Sequence, residues 1–336
     1  MTTNPPVSTR PPSIRDVARI AGVSHQTVSR VLNGHPSIRD TTRQRVLDVM
    51  AELQYQPNRA ARALASSRSH TIGILSAMST DYGPASIMAS VEAAARANGY
   101  WVSIANIDPG VQGSIRDALQ QLRAQAVEGI VVIAPQVRVF EEISQLQFDV
   151  PYVNVQWTGE GDRPPVFDQY EGARLATRHL LELGHRGIYH LSGPRDWIEA
   201  DARMRGFLDE MNEWDAPTTA PILGDWTADF GYFAGQELLR VRDFTAVFAS
   251  NDQMALGLLH AFRDGGVSVP GDVSVIGFDD IPEAAHFWPP LTTIRQDFSE
   301  LGRIAVDRLV GGEEADRART VTPQLVVRSS TAPARS

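Results

Sequence analysis

The sequence predicts an all-α helix-turn-helix head followed by an α/β body of two lobes, each with a doubly wound parallel sheet. Three observations carry this. Residues 16–64 hold short amphipathic segments separated by tight-turn residues. From Thr71 onward, short apolar runs alternate with stretches of helical period, as parallel strands covered by helices require. The alternation restarts near residue 166, and the 336 residues suffice for a small head and two such lobes.

Residues 1–12 are rich in Thr and Pro and lack an apolar core, so they read as a disordered leader, not a signal peptide. The head spans 13–57. Ser13-Ile14-Arg15-Asp16 has the form of a capping box. Val17, Ala18 and Ala21 fall on one helical face. Ala21-Gly22-Val23-Ser24 supplies a turn, with Gly22 suited to a positive φ and Ser24 to capping the next helix. That second helix should bury Val28 and Val31 and present His25, Gln26, Ser29 and Arg30. Arg and Gln are the side chains suited to guanine and adenine edges in a major groove. A third helix follows. Arg39, which has no side-chain oxygen to cap it, precedes that helix, so Ser37 or Asp40 is expected to cap instead. Residues 58–70 form a hinge and linker. Asn58 to Ala65 can be helical, but eight residues are too few to hold a helix alone in water, so they need a partner helix and a DNA groove.

In the body (71–330), strands are expected at 71–75, 100–107, 129–134, 151–156, 187–191, 246–249, 273–278 and 324–327. Helices are expected at 86–97, 115–125, 172–183, 204–211, 232–241 and 254–262. Residues 331–336 read as a tail. Ligands of such sheets bind beyond the carboxyl ends of the strands, here in the cleft between lobes. Polar residues crowd those ends: Ser250-Asn251-Asp252, Asp279-Asp280 and Gly224-Asp225-Trp226.

Formal charge is −9, unevenly spread. Residues 1–70 hold ten arginines against four acids, a net of +6, which leaves −15 for the rest. A basic head on an acidic body suits a nucleic-acid binder whose body is repelled by DNA. All 31 basic residues are Arg. Without Cys there are neither disulfides nor thiolate metal sites. His179, His185 and His190 have spacings that fit no common metal motif. No HExxH, GxSxG, Walker loop or GxGxxG is present, so the chain is not expected to be an enzyme. No apolar run suffices to span a membrane, and a cytoplasmic protein is expected.

Asp16-Val17-Ala18, Ala21-Gly22-Val23-Ser24, Thr27 to Asn33 and Tyr55-Gln56-Pro57-Asn58 resemble the DNA-binding head of the LacI/GalR family. The resemblance runs over about 13–330 and implies a periplasmic-binding-protein-like body. It divides that body into lobe 1 (about 71–165 and 297–322) and lobe 2 (about 166–296 and 323–330). It implies DNA contacts from Ser24, His25, Gln26, Thr27, Ser29, Arg30, Asn33, Thr42 and Tyr55. Asn58, Ala61 and Leu64 join them from the hinge, with Leu64 a wedge that enters the minor groove and kinks the duplex. It places Arg205, Asn251 and Asp279 on ligand hydroxyls and Trp226 over a ring face, with Gln296 and Phe298 at the lobe crossover. Tyr82, Pro84 and Ile87 are expected to line the cleft. Asn154, which stands where lactose-type members have an aspartate, is also expected to contact the effector, and Ile133 stands where they have an asparagine.

The implied function is a repressor of carbohydrate-utilisation genes. It would be released from a palindromic double-stranded operator by a small sugar, a galactoside foremost, with no other cofactor. No leucine heptad follows the strand at 324–327, so a homodimer is expected. The alternatives are the same fold with a purine corepressor, Tyr82 and Trp226 sandwiching the base, or a sugar-processing enzyme.

Overall fold

The computed structural model describes residues 12–32, 35–55, 68–77, 81–108, 110–111, 113–156, 166–311 and 319–335. The chain divides into two compact units, residues 1–69 and 70–336.

The head holds α1 (Ile14–Ala21), α2 (His25–Leu32) and α3 (Asp40–Glu52). Both halves of the Ser13–Asp16 capping box form, and α1 ends on Gly22 in the left-handed region at φ 62°. The Ser24 hydroxyl accepts from the Thr27 amide at 3.1 Å and so caps α2. Val17, Ala18, Ala21, Val28, Val31, Val46 and Val49 make the core. Small β-branched residues predominate there because three helices of 8 to 13 residues enclose little volume.

The expected cap of α3 is not found. Arg39 is the extended cap residue and makes no side-chain bond. Ser37 is engaged by His35 Nδ1 at 2.8 Å, and Asp40 already lies inside the first turn. Asp40 still favours that helix end through the dipole, but the orphan amides lack a side-chain acceptor.

In lobe 1, β1 (Thr71–Ala77), α4 (Tyr82–Ala97), β2 (Trp101–Ile107), α5 (Ser114–Ala124), β3 (Gly129–Ile133), α6 (Val137–Ser144) and β4 (Tyr152–Asn154) build an all-parallel sheet of order β2-β1-β3-β4. Lobe 2 begins with α7 (Gln169–Glu182), β5 (Ile188–Ser192), α8 (Ile198–Glu213), β6 (Ile222–Leu223), α9 (Ala228–Val241) and β7 (Ala246–Ala249). It continues with α10 (Asp252–Asp264), β8 (Ser274–Asp279), β9 (Thr292–Arg295) and β10 (Gln324–Val326). Its sheet order is β10-β9-β8-β7-β5-β6, parallel except where β10 runs against β9. After β9 the chain returns to lobe 1 as α11 (Phe298–Val310), which packs along α4.

Several elements differ from expectation. α6, β6, β9 and α11 were not among the expected elements; β6, with two residues, is too short for a period to show, whereas α11 has 13 residues with Leu301, Ile304, Ala305 and Val306 buried. α8 begins at Ile198, six residues before the expected Met204, because its inward face holds Glu199, Arg203 and Glu210 and therefore does not look apolar. Residues 331–335 are no free tail. The Ala332 carbonyl accepts from His185 Nε2 at 3.0 Å, the Ala332 amide donates to Ser274 Oγ at 3.0 Å, and Ala334 N donates to the Leu183 carbonyl at 2.8 Å. The leader expected at 1–12 falls, Pro12 apart, outside the described residues, as does all of the expected hinge helix.

Candidate functional site

Two surfaces carry unusual chemistry, one in each unit. On the head, α2 is anchored by buried Val28 and Val31, which turns the opposite face outward. His25, Gln26 and Arg30 are exposed on it, and Ser29 is half-buried. Ser24 is exposed too, but its hydroxyl is shared with the Thr27 amide and with Thr27 Oγ1 at 3.0 Å, so both hydroxyls serve the helix start. Thr42 is half-buried near the start of α3, and Tyr55 packs against the head core. Asn33, Asn58, Ala61 and Leu64 lie outside the described residues.

In the body, a cleft opens between the lobes. Lobe 1 lines it with Tyr82, Pro84 and Ile87 of α4 and with Phe298 at the start of α11. Tyr82 and Phe298 meet edge to face at 5.7 Å. Apart from the Asp81 carboxylate, which also lines the cleft just before α4, this wall is apolar. Lobe 2 presents a polar one, and at its centre is Arg203. Arg203 Nε donates to Gln169 Oε1 at 2.9 Å, Nη1 to the Ser250 carbonyl, and Nη2 to Asp279 Oδ1 at 3.4 Å. Gln169 Nε2 donates to Gln296 Oε1 at 3.1 Å, and Gln296 Nε2 to Asp279 Oδ1 at 2.5 Å. Arg203, Gln169, Gln296 and Asp279 thus close a ring of hydrogen bonds drawn from α8, α7, the lobe crossover and β8. The guanidinium lies 3.8 Å over the Phe278 ring.

The ring explains how buried charge is tolerated here, since an unpaired ion in such a place costs several kcal/mol. Burial still pushes the Asp279 carboxyl up to about 6, against the opposing pull of Arg203 and Gln296. Burial likewise lowers Arg203 from its ordinary value, against the opposing pull of Asp279. β8 ends in backbone that few side chains adopt, with Asp279 at φ 105° and Asp280 at φ 54°. The neighbours hold it there. Asp280 pairs with Arg295 and Arg328, each at 2.6 Å, and Asp252 accepts from the Ile281 amide at 2.8 Å and from Thr293 Oγ1 at 2.6 Å. Asp280 is therefore an anchor behind the cleft.

Trp226 is 7 % exposed and packs edge-on against Trp197 at 5.3 Å. Its indole packs so close to Gly193 that any Cβ there would overlap it. Asn251 faces the cleft with both ends of its amide engaged: Oδ1 caps α10 through the Met254 amide and Nδ2 donates to the Trp226 carbonyl, each at 2.9 Å.

Two expected cleft residues are elsewhere. Arg205 is on the surface, its side chain 46 % exposed and paired with Asp201 at 3.0 Å, whereas the Arg203 side chain is 6 % exposed. Residues two apart on a helix are turned about 200° from each other, so only one of these arginines can face the cleft. Asn154 ends β4 without lining the cleft, and its Oδ1 accepts from the Gln156 amide at 3.0 Å. Sequence reasoning also missed Gln169, Trp197, Glu199 and Arg203. A signal for two of them was present. Positions 199, 203, 207 and 211 read Glu, Arg, Phe, Met, while 201, 205, 209 and 213 read Asp, Arg, Asp, Glu. Only the first series continues into apolar residues and so faces inward. The three histidines serve the fold: His190 stacks between Phe207 and Phe248, His185 bonds Thr245, and His179 bonds Thr331.

Comparison with known proteins agrees with this architecture. The model of bacterial regulatory proteins of the lacI family matches residues 13–58, and that of the periplasmic binding protein-like domain matches 177–331. The chain is 34 % identical over 308 residues to the lactose operon repressor of Escherichia coli, covering 90 % of this chain and 84 % of that one. It is 34 % identical over 335 residues to the HTH-type transcriptional repressor PurR of Vibrio parahaemolyticus, covering 95 % and 98 %. The crystal structure of the lac repressor dimer bound to operator and the anti-inducer ONPF is similar, with TM-score 0.87 at 32 % identity over 96 % of this chain and 100 % of that one. So is a complex of the regulator CelR with cellobiose, with TM-score 0.65 at 30 % identity over 95 % and 99 %.

Proposed function

The chain belongs to the lacI family of bacterial regulatory proteins, and on that premise we propose that its cleft takes a small uncharged carbohydrate whose binding releases the head from operator DNA. The relatives are transcriptional repressors, and this chain is a DNA-binding regulator of the same kind. One helix α2 reads one half-site, so a homodimer on a palindromic operator follows. The place of action is the cytoplasm. Among the described residues no helix is long and apolar enough to cross a membrane.

The observation that carries the effector reading is the two-walled cleft. One wall offers rings and aliphatic carbons, which suit the apolar face of a pyranose. The other offers a carboxylate, a guanidinium and amides, which suit hydroxyls. The similar regulator solved with cellobiose supports a sugar, and a galactoside is the first candidate. A ligand touching both walls binds one relation of the lobes better than others, and Gln296 sits at their crossover. Such differential binding is what shifts a two-state regulator.

The test is operator binding in the presence of lactose, galactose, cellobiose, glucose 6-phosphate and hypoxanthine. Release by a neutral sugar is expected. Binding that tightens with hypoxanthine, or responds only to the phosphate, overturns the effector reading and leaves the DNA-binding one intact.

A further inference from the structure

The polar wall of the cleft is almost wholly self-satisfied. Arg203, Asp279, Gln169, Gln296 and Asn251 are each bonded within the protein, as described above. Two groups are not. Glu199 is 8 % exposed, lines the cleft from the first turn of α8, and its Oε2 has no hydrogen-bond partner among the described residues. The Trp226 indole N–H is buried in the same wall and is likewise without one. Native proteins rarely leave such atoms unmet, because each forfeits its hydration without return. Here a buried acceptor and a buried donor, both without partners among the described residues, belong to side chains that line one cavity.

We propose that Glu199 is a ligand-binding residue, and that with the Trp226 N–H it selects an uncharged ligand carrying both a hydrogen-bond donor and an acceptor while excluding anions. The ligand donates to Glu199 Oε2 and accepts from Trp226 Nε1. A hydroxylated pyranose meets both needs, since its hydroxyls donate and its oxygens accept. A sugar phosphate or sugar acid does not. Its charge would approach Glu199 and Asp279 with a single cation, Arg203, already engaged by Asp279 at 3.4 Å and by two neutral acceptors. The two groups also explain each other's burial. Burial pushes the Glu199 carboxyl up to about 7, with Arg203 lowering it and Asp279 raising it. A ligand donor is the missing stabilisation of its charged form. Trp226 is packed against Trp197 and Gly193, which fixes the position of its indole. This inference rests on the reading of the cleft as the effector site, but not on the effector being a sugar.

Calorimetric titration of the full chain tests it, with galactose, lactose, cellobiose, glucose 6-phosphate and hypoxanthine as probes. For the neutral compound that the wild type binds, Glu199→Leu should weaken binding roughly 10- to 100-fold. The isosteric Glu199→Gln should weaken it less and should gain affinity for glucose 6-phosphate. Trp226→Phe, which keeps a ring and deletes the N–H, should cost roughly 3- to 10-fold. Unchanged operator binding without ligand shows that each variant is folded, and Glu199→Gln carries the test if the leucine variant is not. Affinity within twofold of wild type in both Glu199 variants overturns the proposal while leaving a sugar reading standing. Hypoxanthine bound in a Glu199-dependent way supports the proposal and overturns the sugar. Tight binding of glucose 6-phosphate by the wild type, or no binding of any probe, overturns both.

Discussion

Helices α2 and α8 both carry functional side chains, and they do so in opposite ways. α2 buries valines and displays His25, Gln26 and Arg30 to solvent, where Arg30 has no partner among the described residues. α8 turns Glu199 and Arg203 inward and closes a circuit of hydrogen bonds around the latter. A surface meant for a long polyanion needs solvated groups that exchange water and counterions for contacts. A cleft meant for one small molecule needs groups held in place before it arrives, and those must satisfy one another meanwhile. The consequence is energetic. A change on α2 should touch binding alone, whereas a change on the inner face of α8 should touch stability and binding together.

The largest effect that follows is at Arg203. Arg203→Leu leaves Asp279 buried without its cation, and should cost about 3–5 kcal/mol of folding stability along with the ligand response. Urea unfolding measures the first part. A variant as stable as wild type would dissolve the contrast between the two helices. Asp279→Asn comes next. It removes the charge while keeping an acceptor for Gln296, so the protein should stay folded and keep near-normal operator affinity yet no longer answer the effector, a permanently repressing form. Operator titrations with and without the sugar decide this, and a normal response would remove Asp279 from the ligand contacts.

On α2, Arg30→Ala should cost roughly 1–3 kcal/mol of operator affinity and relax preference at one base pair, with folding stability unchanged. Equal weakening across all sequences would assign Arg30 to phosphate instead of a base edge.

A subtler test concerns pH. The folded state raises Glu199 from 4.5 to about 7, so between those values it holds more protons than the unfolded chain. Its burial penalty is absent below pH 4.5, grows as pH rises, and is complete above 7. Buried His190, lowered to about 3, acts the other way below its ordinary value, so the whole stability curve is a poor readout. The difference between Glu199→Gln and wild type is the right one. It should shift in favour of the variant by on the order of 1–2 kcal/mol from pH 5 to pH 8. A pH-independent difference would mean that Glu199 is hydrated in the unliganded cleft. The smallest effect is the sharpest control: Arg205→Ala breaks an exposed pair with Asp201 and should change stability by less than about 0.5 kcal/mol, with the ligand response intact.

The head was legible residue by residue. Its capping box, its left-handed Gly22, the Ser24 cap and the inward valines are all matters of neighbours within a few positions, where chain geometry decides. The one failure there, the cap of α3, arose because Ser37 was drawn to His35, a competition that spacing does not reveal. In the body, most long strands and helices were legible from their period, but the 13-residue α11 was not foreseen. The short α6, β6 and β9 were not, and α8 was misjudged because its buried face is charged. Asp279, Asn251, Trp226, Gln296, Phe298 and Tyr82 were placed at the cleft by resemblance, and the structure brings them together there. Arg205 and Asn154 it does not.

By itself the sequence determined most of the helical and extended segments, that a basic head precedes an acidic body, and which side of α2 faces outward. Those follow from local propensity, capping and periodicity, which act over a few residues. Only the tertiary structure decided which arginine of α8 enters the cleft, which polar groups satisfy one another, and which two are left open to a ligand. Those depend on partners brought together from α7, β8 and the lobe crossover. Glu199 and Arg203 are buried only because that meeting makes their burial affordable, and nothing local to them announces it beyond the Phe207 and Met211 that share their face.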